Sequence, residues 1–74
     1  MDTIHLQIDG MHSSGCAVGI QMLTEQIEGV SYAVVDLDGK RGTWEYDITL
    51  VTPELIIEQI TKLGYTVTII SANS

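Results

Sequence analysis

One cysteine, Cys16, and three basic residues are all that 74 positions supply of either kind. A single cysteine leaves no internal disulfide framework to staple the chain. Three Lys and Arg against ten Asp and Glu give a formal charge of −7. Nucleic acid and anionic lipid are held by basic side chains that displace counterions, so a chain this acidic repels both. Its charged partners are expected to be basic. No apolar run approaches the length of a membrane span, and the opening MDTIHLQIDG lacks the basic and apolar regions of a secretory signal. Carboxylate pairs suited to acid–base chemistry, a Ser-His-Asp set and a phosphate-binding loop are also missing, so an enzyme is not expected. Taken as a whole protein, the chain is expected to be soluble and cytoplasmic. A domain cut from a larger membrane protein would share these features.

What is present is enough apolar material, 45% of the residues, for a folded globule of one domain. Residues 3–9 alternate, with Ile4, Leu6 and Ile8 on one side and His5, Gln7 and Asp9 on the solvent side, which predicts a half-buried strand. Gly10 and residues 12–15 break the alternation. From Cys16 a helical stripe takes over, with Ile20, Leu23 and Ile27 falling on the same face. Ser13 or Ser14 reads as its N-cap and Gly29 as its stop. Val30 to Leu37 reads as a second strand, Asp38-Gly39 as a hairpin turn kept in water by Lys40 and Arg41, and Gly42 to Asp47 as a third strand with Trp44 and Tyr46 packing on one face. Thr52 and Pro53 open a second helix, with Glu54 near its positive end and Val51 and Ile56 placed as a hydrophobic staple. Ile56, Ile60 and Leu63 form its buried stripe and Gly64 ends it. Tyr65 to Ile70 reads as a last strand.

Strand, helix, strand, strand, helix, strand is two split βαβ units, the ferredoxin-like α+β arrangement, with two helices on one face of a four-stranded antiparallel sheet. The expected domain is 1–74, with a core over about 3–70 and a polar tail at 71–74. Ile4, Leu6, Ile8, Ile20, Leu23, Ile27, Val35, Ile56, Ile60 and Leu63 are the expected core.

The stretch Gly10-Met11-His12-Ser13-Ser14-Gly15-Cys16, between the first strand and first helix, resembles the Gly-Met-x-Cys-x-x-Cys motif of the heavy-metal-associated domain family, of the copper-chaperone type. Ile20, Gly29-Val30, Val35-Asp36-Leu37, Tyr46-Asp47 and Leu63-Gly64-Tyr65-Thr66-Val67 fall at similar spacings, so the likeness covers nearly the whole chain. The resemblance implies binding of Cu(I), or of another soft ion, by the two motif cysteines and its transfer to a partner. Cu(I) is soft and is satisfied by few thiolates, so two of them on one loop can clasp the ion yet release it to an incoming thiol. Here Ser13 stands at the first cysteine position. A hydroxyl is a hard donor that keeps its proton near neutral pH, so it cannot replace the thiolate, and binding is expected to be weakened.

Carried over residue by residue, Cys16 matches a metal ligand, and Met11 and Tyr65 match positions that pack beside the site. Cys16 also fits a plain reading as a small buried hydrophobe on its helix stripe. As a thiol at a helix N-terminus with no acidic residue beside it, it is expected to ionise more readily than a free cysteine. His12, at the variable position of the motif, is either an outward-turned side chain or an auxiliary ligand. Three functions are compatible with these residues. The chain is a copper-chaperone-like protein that delivers metal to a copper-transporting ATPase or another metal-handling protein, with a metal-bridged homodimer through Cys16 as one way to complete the site. It is a metal-independent protein-interaction module with no cofactor. Or it is an excised N-terminal domain of a copper-transporting P-type ATPase.

Overall fold

In the computed structural model, which describes residues 1–73, the order of elements is β1 (Asp2–Asp9), α1 (Ser14–Glu25), β2 (Val30–Asp36), β3 (Arg41–Tyr46), α2 (Pro53–Lys62) and β4 (Thr66–Asn73). The strands form one antiparallel sheet in the order β2-β3-β1-β4. The βαββαβ order and the two helices on one face make this the ferredoxin-like sandwich that the periodicity predicts. No helix among the described residues is long and apolar enough to cross a membrane.

Alternation puts Ile4, Leu6 and Ile8 of β1 and Trp44 and Tyr46 of β3 on the helix side, where all five are buried with Ile20, Ala33, Val51, Ile56 and Ile60. Trp44 is the largest of the fully buried side chains. Its Nε1–H donates to Thr24 Oγ1 at 2.9 Å, and that hydroxyl donates in turn to the Ile20 carbonyl at 2.8 Å. A buried indole N–H left unpaired would cost about 1–3 kcal/mol, so this chain of bonds accounts for a threonine in the core. Gly42 lies against the Trp44 ring, and a methyl group at that position would collide with it.

Several expectations are corrected. The buried stripe of α1 is Ala17, Ile20 and Thr24; Cys16, Leu23 and Ile27 are only half-buried. The helix is turned so that Thr24 meets the indole. Val35 is likewise half-buried, packed at the margin of the core. Leu63, expected inside, is 49% exposed. It sits at the C-cap of α2 and looks onto a groove whose α1 wall carries Gly15 and Gly19, which have no side chains to cover it. The hairpin turn lies at Asp38-Gly39 as expected, and its left-handed residue is Lys40, at φ 54. Helix α1 ends at Glu25, with Gln26 as its C-cap, ahead of Gly29. His5 is partly buried, its Nδ1 2.9 Å from Thr43 Oγ1 on the neighbouring strand. The last strand continues past Ile70: Ser71, Ala72 and Asn73 pair with His5, Ile4 and Thr3 of β1, while Ser74 lies outside the described residues.

Candidate metal centre

The loop from β1 into α1 crosses one end of the sheet, beside the β2–β3 turn and the start of β4. Gly10 begins it at φ 107, a conformation that side-chain-bearing residues avoid. A Cβ on Gly10 would stand 3.3 Å from Tyr65 Cδ1, so glycine also lets the loop approach that ring. Met11 and Tyr65 are both half-buried and packed against the core. His12, Ser13, Ser14 and Gly15 are exposed.

Ser13 is the N-cap residue of α1 by backbone geometry, extended at φ −153 and ψ 165, yet its side chain makes no capping bond. Its carbonyl accepts the Cys16 N–H at 3.0 Å, and its hydroxyl contacts Cys16 Sγ at 3.7 Å, a long bond of the kind sulfur permits. The hydroxyl that would ordinarily satisfy a free helix N–H is thus turned to the thiol.

Cys16 is a free, half-buried thiol in the first turn of α1, which contains no acidic residue. Its pKa is lowered from the ordinary 9.0 to about 6. The largest cause is the Tyr65 hydroxyl, which donates to the sulfur; the backbone N–H of His12, the Ser13 hydroxyl and the Ser13 N–H follow, and desolvation opposes them. The same contact raises the Tyr65 phenol, because its proton is held toward the sulfur and a nearby thiolate disfavours a second negative charge. The sequence argument for an acidic thiol rested on the helix end. The structure assigns the leading part to a tyrosine 49 residues along the chain, which no local pattern displays.

Beside the sulfur runs an open groove of ≈ 530 Å³ between the two helices, lined on the α1 side by Gly15, Cys16, Gly19 and Leu23, with Leu63 and Tyr65 opposite. Gly15 and Gly19, four apart on one helix, are the sequence signal for that hollow. Among the described residues no three of His, Cys, Asp or Glu gather as a cluster that could hold a metal ion. The chain itself therefore offers one thiolate, with the His12 imidazole exposed on the neighbouring loop.

The model of the heavy-metal-associated domain matches residues 5–66. The chain belongs to the heavy-metal-associated domain family. It is 29% identical over 72 residues to the copper-transporting ATPase ccc2 of Schizosaccharomyces pombe, covering 97% of this chain and 8% of that protein. It is 35% identical over 71 residues to copper-transporting ATPase 1 of Rattus norvegicus, covering 92% of this chain and 5% of the ATPase. The chain thus spans less than a tenth of either protein. Its fold superposes, at a TM-score of 0.91 and 27% identity, on the Cu(I)-loaded N-terminal domain of a potential copper-translocating P-type ATPase from Bacillus subtilis, over 99% of this chain and 91% of that one. In this heavy-metal-associated domain, the loop, the thiol and the tyrosine lie at one end of the sandwich.

Proposed function

We propose that this domain binds Cu(I) through the Cys16 thiolate and hands it on by thiol exchange, with the second thiolate supplied by a partner or by another copy of the chain. The observation that carries the reading is the state of Cys16: half-buried at a helix N-terminus, free of nearby carboxylates and held at a pKa of about 6. A thiolate, not a thiol, is the metal ligand, and here it is formed at neutral pH at no cost to a competing proton. The kinship with copper-transporting ATPases supports copper as the cargo, and a soft thiolate donor accommodates other soft ions.

Ser13 sets the limit of the site. Its hydroxyl hydrogen-bonds the sulfur and adds no soft donor, so one chain holds the ion weakly and a second thiolate is needed to close the coordination. Transfer needs no redox step: an incoming thiolate adds to the ion, and the Cys16 sulfur leaves and takes up a proton or remains ionised. Tyr65 stands ready to donate to the sulfur once the metal has gone. His12 is an auxiliary donor at most, on the exposed side of the loop. The partner is a copper-transporting ATPase or another cytoplasmic metal-handling protein, and the chain serves either as a separate chaperone-like carrier or as one domain of such an ATPase.

A Cu(I) competition titration against a chelator of known affinity, run with sedimentation, tests this. The expected outcome is weak binding by the unmodified chain, none for Cys16→Ala, and tight one-to-one binding within a monomer for Ser13→Cys. Metal-dependent dimers of the unmodified chain that vanish in Cys16→Ala identify the second copy as a thiolate source. Unmodified protein that binds as tightly as Ser13→Cys while monomeric, or Cys16→Ala that still binds, defeats the proposal.

A further inference from the structure

The two edges of the sheet are treated differently. At the β2 edge, Asp36 sits within the strand, the register slips between Val30 and Tyr32, and the Val35 N–H is occupied by Gln21 Oε1 at 3.3 Å. Charge, irregularity and capped amides are the devices by which natural sheets prevent edge-to-edge pairing. Strand β4, at the other edge, has one strand neighbour, β1; it shares the irregularity, a shift of register at Ile70, but carries no charge. Thr66-Val67-Thr68-Ile69-Ile70-Ser71-Ala72-Asn73 contains no charged residue and no proline, although each of the other three strands carries charge in a protein of −7. Five consecutive residues, Thr66 to Ile70, are β-branched, a composition suited to strand pairing. Ile69 and Ile70 are 55% and 50% exposed. Ile69 pairs with the buried Leu6, yet α2 leaves it uncovered.

We propose that the outer edge of β4 is a self-pairing surface, on which a second copy of this chain adds its own β4 antiparallel to form a two-fold dimer with a continuous eight-stranded sheet. The occupant follows from charge. Two chains of −7 repel over most of their surfaces, and the uncharged β4 edge is the line along which they approach at least cost. A two-fold axis brings the same patch of both copies together, and an edge of β-branched, uncharged residues complements itself. The seam is short: a bulge at Ile70, where the pairing with β1 shifts between His5 and Leu6, separates Thr66–Ile69 from Ser71–Asn73. A contact of that extent falls in the small, transient class of interface, below about 1,200 Å² in total, so the dimer forms at high concentration and strengthens with salt as the repulsion is screened. This surface is separate from the metal-bridged contact through Cys16 and does not depend on metal.

Sedimentation equilibrium of the metal-free chain from about 10 µM to about 1 mM, at low and high salt, tests it. The expected result is a monomer–dimer equilibrium favoured by salt, lost in Ile69→Lys, and retained in Val34→Lys, which puts the same charge on the β2 edge, and in Cys16→Ala. Amide exchange on the unmodified chain gives a readout independent of any variant: the β4 amides should slow with concentration while those of β2 do not. A monomer at every concentration and salt overturns the proposal and leaves the edge to an extended segment of another protein. Equal loss of the dimer in Val34→Lys, or its loss in Cys16→Ala, overturns it as well.

Discussion

Removing the Tyr65 hydroxyl tests how the site acidifies its thiol. With a pKa of about 6 in place of 9.0, Cys16 is about 90% ionised at pH 7 where an ordinary cysteine would be about 1% ionised. Reactivity does not rise by that full factor of about 90, because a less basic sulfur is a weaker nucleophile. With a Brønsted coefficient of about 0.45, the thousandfold change in acidity lowers intrinsic reactivity about 20-fold, leaving a net gain near pH 7 of about fourfold. The midpoint of the pH profile is therefore the more telling quantity. Rates of exchange with a small aromatic disulfide, measured on metal-free protein from about pH 4.5 to 10, should rise to a plateau with a midpoint near 6. In Tyr65→Phe, which keeps the ring packed against the loop and removes the largest cause, the midpoint should move upward toward 9.0; Ser13→Ala should move it by less, since its hydroxyl lies lower in the order of causes. A midpoint at or above 9.0 in the unmodified chain means that desolvation governs the thiol. An unchanged midpoint in Tyr65→Phe means that the tyrosine is a packing residue only. Either result refutes the reasoning.

The same shift makes a statement about stability. Cys16 has a folded pKa below its unfolded value, so the unfolded chain binds more protons between about pH 6 and 9; the contribution is fully present above that range and lost as pH falls through about 6. Urea midpoints should rise across this window in the unmodified chain by more than in Cys16→Ala, and equal slopes would deny the linkage. Ile60→Ala, at a fully buried site, should cost about 2–5 kcal/mol by urea denaturation, whereas Leu63→Ala, on the exposed groove wall, should cost under about 1 kcal/mol. Comparable losses would mean that the groove closes over Leu63 in solution. Trp44→Phe should destabilise by about 1–3 kcal/mol, through the lost bond to Thr24 and the space left beside Gly42, and thermal unfolding that is unchanged would show that the indole N–H contributes nothing.

Sequence by itself determined the element order, the buried side of β1 and β3 and the end of the sandwich where the chemistry lies. Alternation in Ile4, Leu6 and Ile8, the Thr52-Pro53 start of α2 and the glycine-bounded loop before Cys16 are local patterns, each dictated by the geometry of a single strand, helix or turn. Motif and landmarks together placed the chain in its family for the same reason, since both are spacings along one chain. Tertiary structure decided the rest. The rotation of α1 that buries Thr24 and half-exposes Leu23 follows from the Trp44 indole needing an acceptor, a requirement of a residue 20 positions away. Leu63 is outside because the facing helix offers Gly15 and Gly19, and a hydrophobic stripe read on one helix contains no information about the other. The acidity of Cys16 was foreseen from the helix end but is governed chiefly by Tyr65, brought to the sulfur by the packing of β4 against β1. The polar composition of Ser71-Ala72-Asn73 suggested a tail, yet these residues continue the strand, because backbone pairing with β1 does not depend on apolar side chains.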